Sequence, residues 1–408
     1  MKSYHLFEAY GVELEYMIVD RSDLSVKPVS DKVMEKVTGF ITDEVIGPDI
    51  SWSNELVLHV IELKTTRPAA GLNGLAEKFS EAISEINRIL EEENAMLLPT
   101  AMHPLMQPES EMHLWPHGNR DIYAAYDRIF NCKGHGWANL QSVHLNLPFN
   151  GKGEFARLHT AIRIILPLLP AIAASSPIYE GVLSGLSDSR LNVYKTNQCA
   201  IPQIAGMVIP EPVLSPEEYD RVIFQPMYQA IAPLDPDSIL QEEWLNSRGA
   251  IARFDRNAIE IRVIDIQECP AADLAILQAT CAVLQALVEE QLSPFSLQFQ
   301  QDTGKLAAIL NGSIQYGEGY IIEDVTYLES LGLLPEPATA GAVWQKLLEK
   351  ITIPEEAIKP LRVILSGGTL SSRIKKALGS EPNVETIQEV YRQLADCLAK
   401  NESFIPAS

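Results

Sequence analysis

Several segments of the chain alternate apolar and polar residues with the two-residue period of a half-buried β-strand. The clearest runs over residues 10–20, where Glu13 and Glu15 share one face and the opposite face is apolar, through Val12, Leu14, Tyr16 and Ile18. Similar strands are predicted over 140–148 and 258–265, and helices over 71–94, 155–174 and 271–291. Strands with one polar face, interspersed with helices, predict an α+β fold. Its antiparallel sheet would carry helices on one side and the chemistry on the other.

Glutamate is a poor strand former, yet five of them lie inside these apolar, strand-like segments: Glu13, Glu15, Glu55, Glu62 and Glu260. Neighbouring carboxylates on one face repel each other unless a cation lies between them. His144 occupies the polar face of its own strand. A single glutamate on the wet side of an antiparallel sheet is ordinary, whereas five acids and a histidine from four segments favour a shared cation site. On the residues alone, the two interpretations are evenly balanced.

Carboxylate oxygens with at most one imidazole are the ligands of Mg²⁺ or Mn²⁺ rather than of zinc or copper. Arg262 lies two residues after Glu260, and an acidic face with an arginine beside it suggests nucleotide phosphoryl chemistry. Glu55 and Glu62 are seven residues apart. A flat strand would place them on opposite faces, so both reach one site only if a bulge or bend intervenes.

Composition and motifs exclude several other classes. With 32 Lys and Arg against 54 Asp and Glu among 408 residues, the formal charge is −22, which argues against a nucleic-acid binder. No signal peptide or membrane-spanning stretch is recognisable, so a cytoplasmic protein that does not enter the membrane is expected. No P-loop or dinucleotide-binding glycine motif is present. Three tryptophans are interpreted as core or loop packing residues, with contact to adenine as the alternative: Trp52, Trp115 and Trp137.

The ordered set of segments resembles the glutamate–cysteine ligase family, and specifically its GCS2-type carboxylate–amine ligase branch. The matching segments span about residues 11–275: 11–15, Glu55 with 62–65, 102–104, 142–146, 174–177 with Arg190, and 258–265. One departure is Ser142, which stands where many members of the branch have the first histidine of His-Val-His-Val. This difference bears on the acceptor amine more than on the type of reaction.

The resemblance implies a glutamine synthetase-like fold, in which a curved antiparallel sheet forms a funnel-like active site and helices pack on its outer face. It implies that Mg²⁺, or Mn²⁺, and through it the phosphates of ATP, would be held by Glu13, Glu15, Glu55, Glu62, His144 and Glu260. Arg262 and Glu260 would be catalytic. Arg190 would hold the substrate's α-carboxylate, and Asn146 would contact substrate. His103 either binds substrate and accepts the amine's proton or packs in the turn before Pro104.

The implied reaction joins the γ-carboxylate of glutamate to cysteine, or to a related amine, through an acyl phosphate with consumption of ATP. Two alternatives stay open: a phosphotransferase similar to guanidino kinases, and a non-catalytic nucleotide- or metal-binding protein. Residues 1–294 would form the catalytic core, with 295–408 a helical segment packed on the same domain. Partners would be small molecules, and family likeness suggests a homodimer.

Overall fold

The computed structural model describes residues 4–407, and its centre is an eight-stranded antiparallel sheet. The strand order is β2-β3-β4-β1-β6-β10-β9, and β5 pairs with the end of β1 that β6 leaves free. Two small two-stranded sheets, β7-β8 and β11-β12, lie apart from it. The strands are β1 (Gly11–Asp20), β2 (Glu44–Val45), β3 (Ile50–Asn54), β4 (Val60–Thr65), β5 (Ala95–Leu98), β6 (Ser142–Pro148), β7 (Ile178–Tyr179), β8 (Val182–Leu183), β9 (Ala250–Arg253), β10 (Ala258–Asp265), β11 (Ile321–Ile322) and β12 (Ala338–Thr339).

Helices account for most of the remaining regular structure and cover one face of the sheet. They are α1 (Ser30–Thr38), α2 (Leu75–Leu90), α3 (Pro108–Glu111), α4 (Arg120–Phe130), α5 (His135–Ala138), α6 (Gly151–Ile165), α7 (Pro170–Ala173), α8 (Ser189–Tyr194), α9 (Pro216–Tyr219), α10 (Gln225–Ile231), α11 (Pro270–Val288), α12 (Phe295–Phe299), α13 (Thr303–Tyr316), α14 (Val325–Ser330), α15 (Ala340–Leu348), α16 (Glu355–Gly367), α17 (Leu370–Leu378) and α18 (Val384–Lys400). The α+β class with an antiparallel sheet is confirmed.

Strand β1 has the two faces that its sequence predicts. Its apolar residues Val12, Leu14, Tyr16 and Ile18 are fully buried in the core. Helix α2 packs against the sheet with a buried stripe at helical spacing: Phe79, Ile83, Ile86 and Leu90. Because the helices occupy the apolar face, the glutamates of β1 are left on the other face.

The segment that contains Glu55 and Glu62 is a hairpin, so the bend that the sequence required between them is a chain reversal. Strand β3 ends at Asn54, a short loop carries Glu55, and β4 begins at Val60. Ser53 lies opposite Glu62 across the hairpin, and its hydroxyl donates to Glu62 at 2.5 Å. Glu55 follows Ser53 by two residues and therefore shares its face, so the odd spacing is resolved by a chain reversal.

A β-bulge interrupts β10 and changes which of its side chains face the sheet's polar side. Ile261 pairs with Leu145, but Ile264 rather than Val263 pairs with Val143. In an unbroken strand, two-residue alternation would place Ile264 on the face of Glu260 and Arg262, whereas Ile264 is buried in the apolar core. Asp265 moves to the polar side, opposite Ser142. Bulges commonly redirect side chains in this way beside active sites.

The C-terminal helices pack on the core. The guanidinium of Arg373 in α17 forms a buried ion pair with Glu268 at 2.5 Å, and the indole N–H of Trp344 donates to the carbonyl of Leu168. These contacts support the proposal that residues 295–408 belong to the same domain as the core. Among residues 4–407, helix α11 alone is long and apolar enough to cross a membrane, and 83% of that stretch is buried inside the protein.

Candidate active site

The polar face of the sheet lines a cavity of about 950 Å³. Strands β1, β4, β6 and β10 each contribute polar side chains, and helix α8 adds Arg190. Nine of the ten predicted site residues line this cavity: Glu13, Glu15, Glu55, Glu62, Asn146, His144, Arg190, Glu260 and Arg262. The tertiary structure therefore brings together side chains that are up to about 250 positions apart in the chain.

The acidic residues form two overlapping groups that share Glu62. In one group, single ligand atoms of Glu13, Glu62 and His144 lie within 4.8 Å of one another. In the other, the same limit joins Glu15, Glu55 and Glu62. Strand pairing explains this arrangement, because Glu15 lies opposite Glu62 and Glu13 lies opposite His144. Directly paired residues in antiparallel strands have neighbouring side chains on the same face.

Glu13 and His144 form a buried ion pair with 2.9 Å between the Glu13 carboxylate and imidazole Nδ1. Burial by itself would raise the pKa of Glu13, but the hydrogen bond and charge of His144 lower it to about 2. Burial would likewise lower the pKa of His144, whereas its bond to Glu13 and the surrounding carboxylates raise it to about 9. In the protein without bound metal, the imidazolium of His144 therefore compensates the charge of Glu13.

Nearby cations and hydrogen bonds compensate Glu55 and Glu62 less than His144 compensates Glu13. Burial, followed by the charge of Glu15, raises the pKa of Glu55 to about 8. Burial together with the charges of Glu13 and Glu55 raises the pKa of Glu62 well above its ordinary value, although Lys64 lies 3.6 Å away. Carboxyls held so unfavourably in their ionised form are suited to a divalent cation. The oxygen-rich ligand set of the two groups fits Mg²⁺ or Mn²⁺.

Glu260 is engaged by two arginines and lies outside both of these groups. One of its oxygens contacts Arg262 Nη2 at 3.0 Å, and the other contacts Arg253 Nη1 at 3.3 Å. This geometry favours a role in holding the two guanidinium groups over the prediction that Glu260 binds a metal. Arg253, from β9, was not identified from the sequence. The pairing of β9 with β10 places Arg253 opposite Ala258, at the start of β10. This pairing is a feature of the folded sheet.

Arg190 is fully buried at the opposite end of β10 and is held by Asp265. Its Nε contacts the Asp265 carboxylate at 2.5 Å, and Ser176 donates a hydrogen bond to the same carboxylate. Within the described part of the chain, Arg190 Nη2 has no hydrogen-bond partner. Because Arg190 lines the cavity, this free donor suits a substrate carboxylate. The β10 bulge makes the arrangement, since it brings Asp265 to this face.

The prediction that His103 contacts substrate is wrong. The residue lies outside the cavity lining and is 2% exposed. Its Nε2 is 2.7 Å from the carbonyl of Leu24, and its Nδ1 accepts from the backbone N–H of Leu105. His103 therefore packs in the turn before Pro104, the alternative that the sequence left open. Asn146 does line the cavity, and its amide donates to Glu13 at 3.1 Å.

Aromatic side chains on the cavity wall were also missed. Tyr126, Trp137 and Trp244 all line the cavity, and Trp137 is therefore not the simple packing residue that the sequence suggested. Trp52 and Trp115 are buried, as expected. Nothing in the local sequence around the three wall residues distinguishes them from core aromatics.

Comparison with known proteins agrees with this geometry. The model of the family described as glutamate-cysteine ligase family 2 (GCS2) matches residues 9–312. The chain belongs to glutamate–cysteine ligase family 2. An uncharacterised protein of Archaeoglobus fulgidus is 40% identical over 280 residues, which are 69% of this chain and 75% of that protein. Membership in this family supports a ligase-type enzyme.

Named relatives are more distant. A Rubrobacter xylanophilus protein with the provisional name glutamate–cysteine ligase 2-3 is 26% identical, over 45% of this chain and 47% of its own length. The chain thus aligns with about half of that relative. A crystal structure of Francisella tularensis glutamate–cysteine ligase in complex with AMP matches with a TM-score of 0.59 and 12% identity, covering 97% of this chain and 90% of that one. This likeness shows that the two proteins share a fold.

Proposed function

We propose that the protein is an ATP-dependent carboxylate–amine ligase that forms an amide through an acyl phosphate. The observation that carries the proposal is the close approach of Glu13, Glu15, Glu55, Glu62 and His144 in one cavity that is also lined by Arg190, Arg253 and Arg262. The family name gives glutamate and cysteine as the reference substrates. The AMP bound to the Francisella ligase supports a nucleotide as the other substrate.

The reaction must bring together two anions, a carboxylate and a polyphosphate. A carboxylate oxygen attacks the γ-phosphorus of ATP, the bond from this phosphorus to the β,γ-bridging oxygen breaks, and ADP leaves with the electron pair. The amine nitrogen then attacks the acyl carbon, the carbon–oxygen bond to phosphate breaks, and the nitrogen releases one proton to solvent. Both steps depend on charge neutralisation and orientation of the reacting groups.

The side chains of this protein would divide that work. Mg²⁺ or Mn²⁺ would be held by Glu13, Glu15, Glu55, Glu62 and His144, and when bound would neutralise phosphate charge. Arg262 would place a fixed guanidinium beside the transferring phosphoryl group. Glu260 would orient that guanidinium and the one of Arg253.

Substrate binding would fall to a different arginine. Arg190 would donate its free Nη2 to the α-carboxylate of glutamate. Its ion pair with Asp265 fixes the direction of the guanidinium, so the substrate meets a donor that is already oriented.

The test is an assay of ADP, phosphate and amide with Mg²⁺-ATP, glutamate and cysteine, with hydroxylamine added to trap an acyl phosphate. We expect phosphate to appear in step with ADP. Arg262→Lys should lower kcat roughly 100- to 1,000-fold, because it removes a positioned transition-state donor. Arg221→Lys serves as the matched control, because Arg221 forms an exposed ion pair with Glu218 and lies outside the cavity lining.

Other results would support the alternatives. ADP formation with a stable phosphorylated product and no free phosphate would indicate a phosphotransferase. Binding of Mg²⁺-ATP without ADP formation under any combination of carboxylate and amine would indicate a non-catalytic protein, and the ligase proposal would then be wrong.

A further inference from the structure

One wall of the cavity is aromatic. The ring centroid of Trp137 lies 5.2 Å from that of Tyr126, and the ring centroid of Trp244 lies 6.0 Å from that of Tyr126. The ring planes are inclined by 52° and 46°. The three residues belong to α5, α4 and the 3₁₀ turn Glu243–Leu245, three segments that meet only in the folded chain.

The wall is supported by further packing and is only partly covered. Phe130, outside the cavity lining, stacks on Trp137 with 5.7 Å between the centroids. Tyr126 is 9% exposed, whereas Trp137 and Trp244 are only partly buried. When a ligand covers large apolar rings that face a preformed cavity, the burial of their surface favours binding.

The wall extends from the part of the cavity next to α8 to the part that holds Arg253. Helix α5, which carries Trp137, contacts the segment after α8 through the hydrogen bond from Asn197 to the carbonyl of Gly136. Trp244 follows Glu243, whose carboxylate is 3.9 Å from Nε of Arg253, and Arg253 lies opposite Ala258. Ala258 and Asp265, the partner of Arg190, are seven residues apart on β10, which places the parts of the cavity that hold Arg253 and Arg190 roughly 20 Å apart.

Two tyrosines of the cavity lining lie close to Arg262. Tyr126 and Tyr194 both interact electrostatically with Arg262. In the proposed ligase, phosphates would lie over the glutamates and Arg262. The space between Arg190 and the part of the wall that holds Trp137 is then left for the carboxylate substrate and its amine.

Two residues that line the cavity beside the wall each have a buried polar atom without a hydrogen-bond partner in the described part of the chain. Gln198, 4% exposed, donates through Nε2 to Ser247 Oγ at 2.8 Å, and Ser247 donates in turn to the carbonyl of Leu245. This chain orients the amide and leaves Gln198 Oε1 without a partner among residues 4–407. Tyr194 Oη is unpartnered within the same residues. A buried carbonyl without a donor is costly, and an amine N–H is the donor that it lacks.

We propose that the aromatic subsite, formed by Tyr126, Trp137 and Trp244 with Gln198 and Tyr194, binds the acceptor amine, and that this amine carries an aryl or similarly large apolar group. Cysteine is then not the preferred acceptor. The inference rests on the proposed ligase function and specifies its second substrate. The rings cover the apolar group of the acceptor, and Gln198 Oε1 accepts a hydrogen bond from its nitrogen.

The test compares 2-phenylethylamine, butylamine, 1,4-diaminobutane and cysteine as acceptors with Mg²⁺-ATP and glutamate. We expect kcat/KM for 2-phenylethylamine to exceed each of the others roughly 10- to 200-fold, the range that apolar pocket contacts provide. Trp137→Leu, which keeps an apolar side chain, should raise the KM for 2-phenylethylamine. Tyr316→Ala is the matched control, because Tyr316 is 58% exposed and lies outside the cavity lining.

Binding alone gives a second measurement, since two tryptophans line the subsite. Titration with 2-phenylethylamine should change the tryptophan fluorescence at lower concentrations than butylamine does. A preference for cysteine or 1,4-diaminobutane would overturn the inference. A rise in the KM for ATP, but not for the amine, in Trp137→Leu would also overturn it, because the wall would then hold adenine.

The failures of the two proposals can be told apart. Glutamate-dependent formation of a hydroxylamine-trapped acyl phosphate reports the ligase chemistry whatever the acceptor. If that product forms but the aryl amine has no advantage, only the subsite inference is wrong. If no carboxylate and amine give ADP, the ligase proposal fails. The fluorescence titration then still decides whether the subsite binds aryl amines.

Discussion

Replacing Glu55 by glutamine should stabilise the metal-free protein while weakening its binding of metal. The pKa of Glu55 is raised to about 8 from an ordinary value of 4.5, by burial and then by the charge of Glu15. An acid whose folded-state pKa lies above its unfolded-state value destabilises the fold wherever the unfolded chain is ionised. This cost is absent below pH 4.5, grows as the pH rises, and is complete above about pH 8.

The size of the effect follows from the same values. At pH 7 the pH lies roughly 2.5 units above the pKa of the carboxyl in the unfolded chain. At about 1.36 kcal/mol per unit, the stability lost by burying Glu55 is therefore at most roughly 3 kcal/mol. Because the Glu55 side chain is partly exposed, solvent screening reduces the gain, and we expect ~1–3 kcal/mol for Glu55→Gln. Glutamine resembles the protonated acid in shape and hydrogen bonding.

The assay is urea denaturation in EDTA at pH 4.5, 7 and 8.5, followed by tryptophan fluorescence, with calorimetric titration of Mn²⁺ on the same samples. The variant should gain stability at pH 7 and 8.5 and show little change at pH 4.5, while its Mn²⁺ affinity falls. Glu85→Gln, at an exposed position of α2, should change stability by less than about 0.5 kcal/mol. Equal or lower stability of Glu55→Gln at pH 8.5, or unchanged Mn²⁺ affinity, would refute the reasoning.

Two further predictions concern the same cavity. Mn²⁺ binding should strengthen as the pH rises from 6 to about 9 and should release protons. The reason is that Glu55, with a pKa of about 8, and His144, with a pKa of about 9, must each lose a proton to act as ligands. Calorimetry in two buffers of different protonation enthalpy measures this release, and a pH-independent Mn²⁺ affinity would contradict the prediction. Asp265→Asn should lower the free energy of unfolding by roughly 3–5 kcal/mol, because it leaves the buried Arg190 without its charged partner. The same variant should raise the KM for the carboxylate substrate. A change in the free energy of unfolding below about 1 kcal/mol would show that the ion pair is dispensable.

The local sequence was sufficient to predict the central strands β1, β6 and β10 and the acidic residues that line the cavity. Glu13 and Glu15 alternate with apolar residues, and a two-residue period allows them only one face once helices bury the other. The same logic predicted the face of His144, which lies opposite Glu13 and lines the cavity. Periodicity is a property of neighbouring residues, so it can be read without the fold.

What the sequence determined by itself is therefore the set of acidic residues on the faces of separate strands. The tertiary structure decided how they meet: the hairpin turns Glu55 towards Glu62, and the bulge turns Asp265 towards Arg190. It also decided that Arg253, Trp137 and Trp244 reach the cavity and that His103 does not. Chain reversals, bulges and contacts between distant segments depend on packing across the whole core, and no short-range pattern in the sequence encodes them.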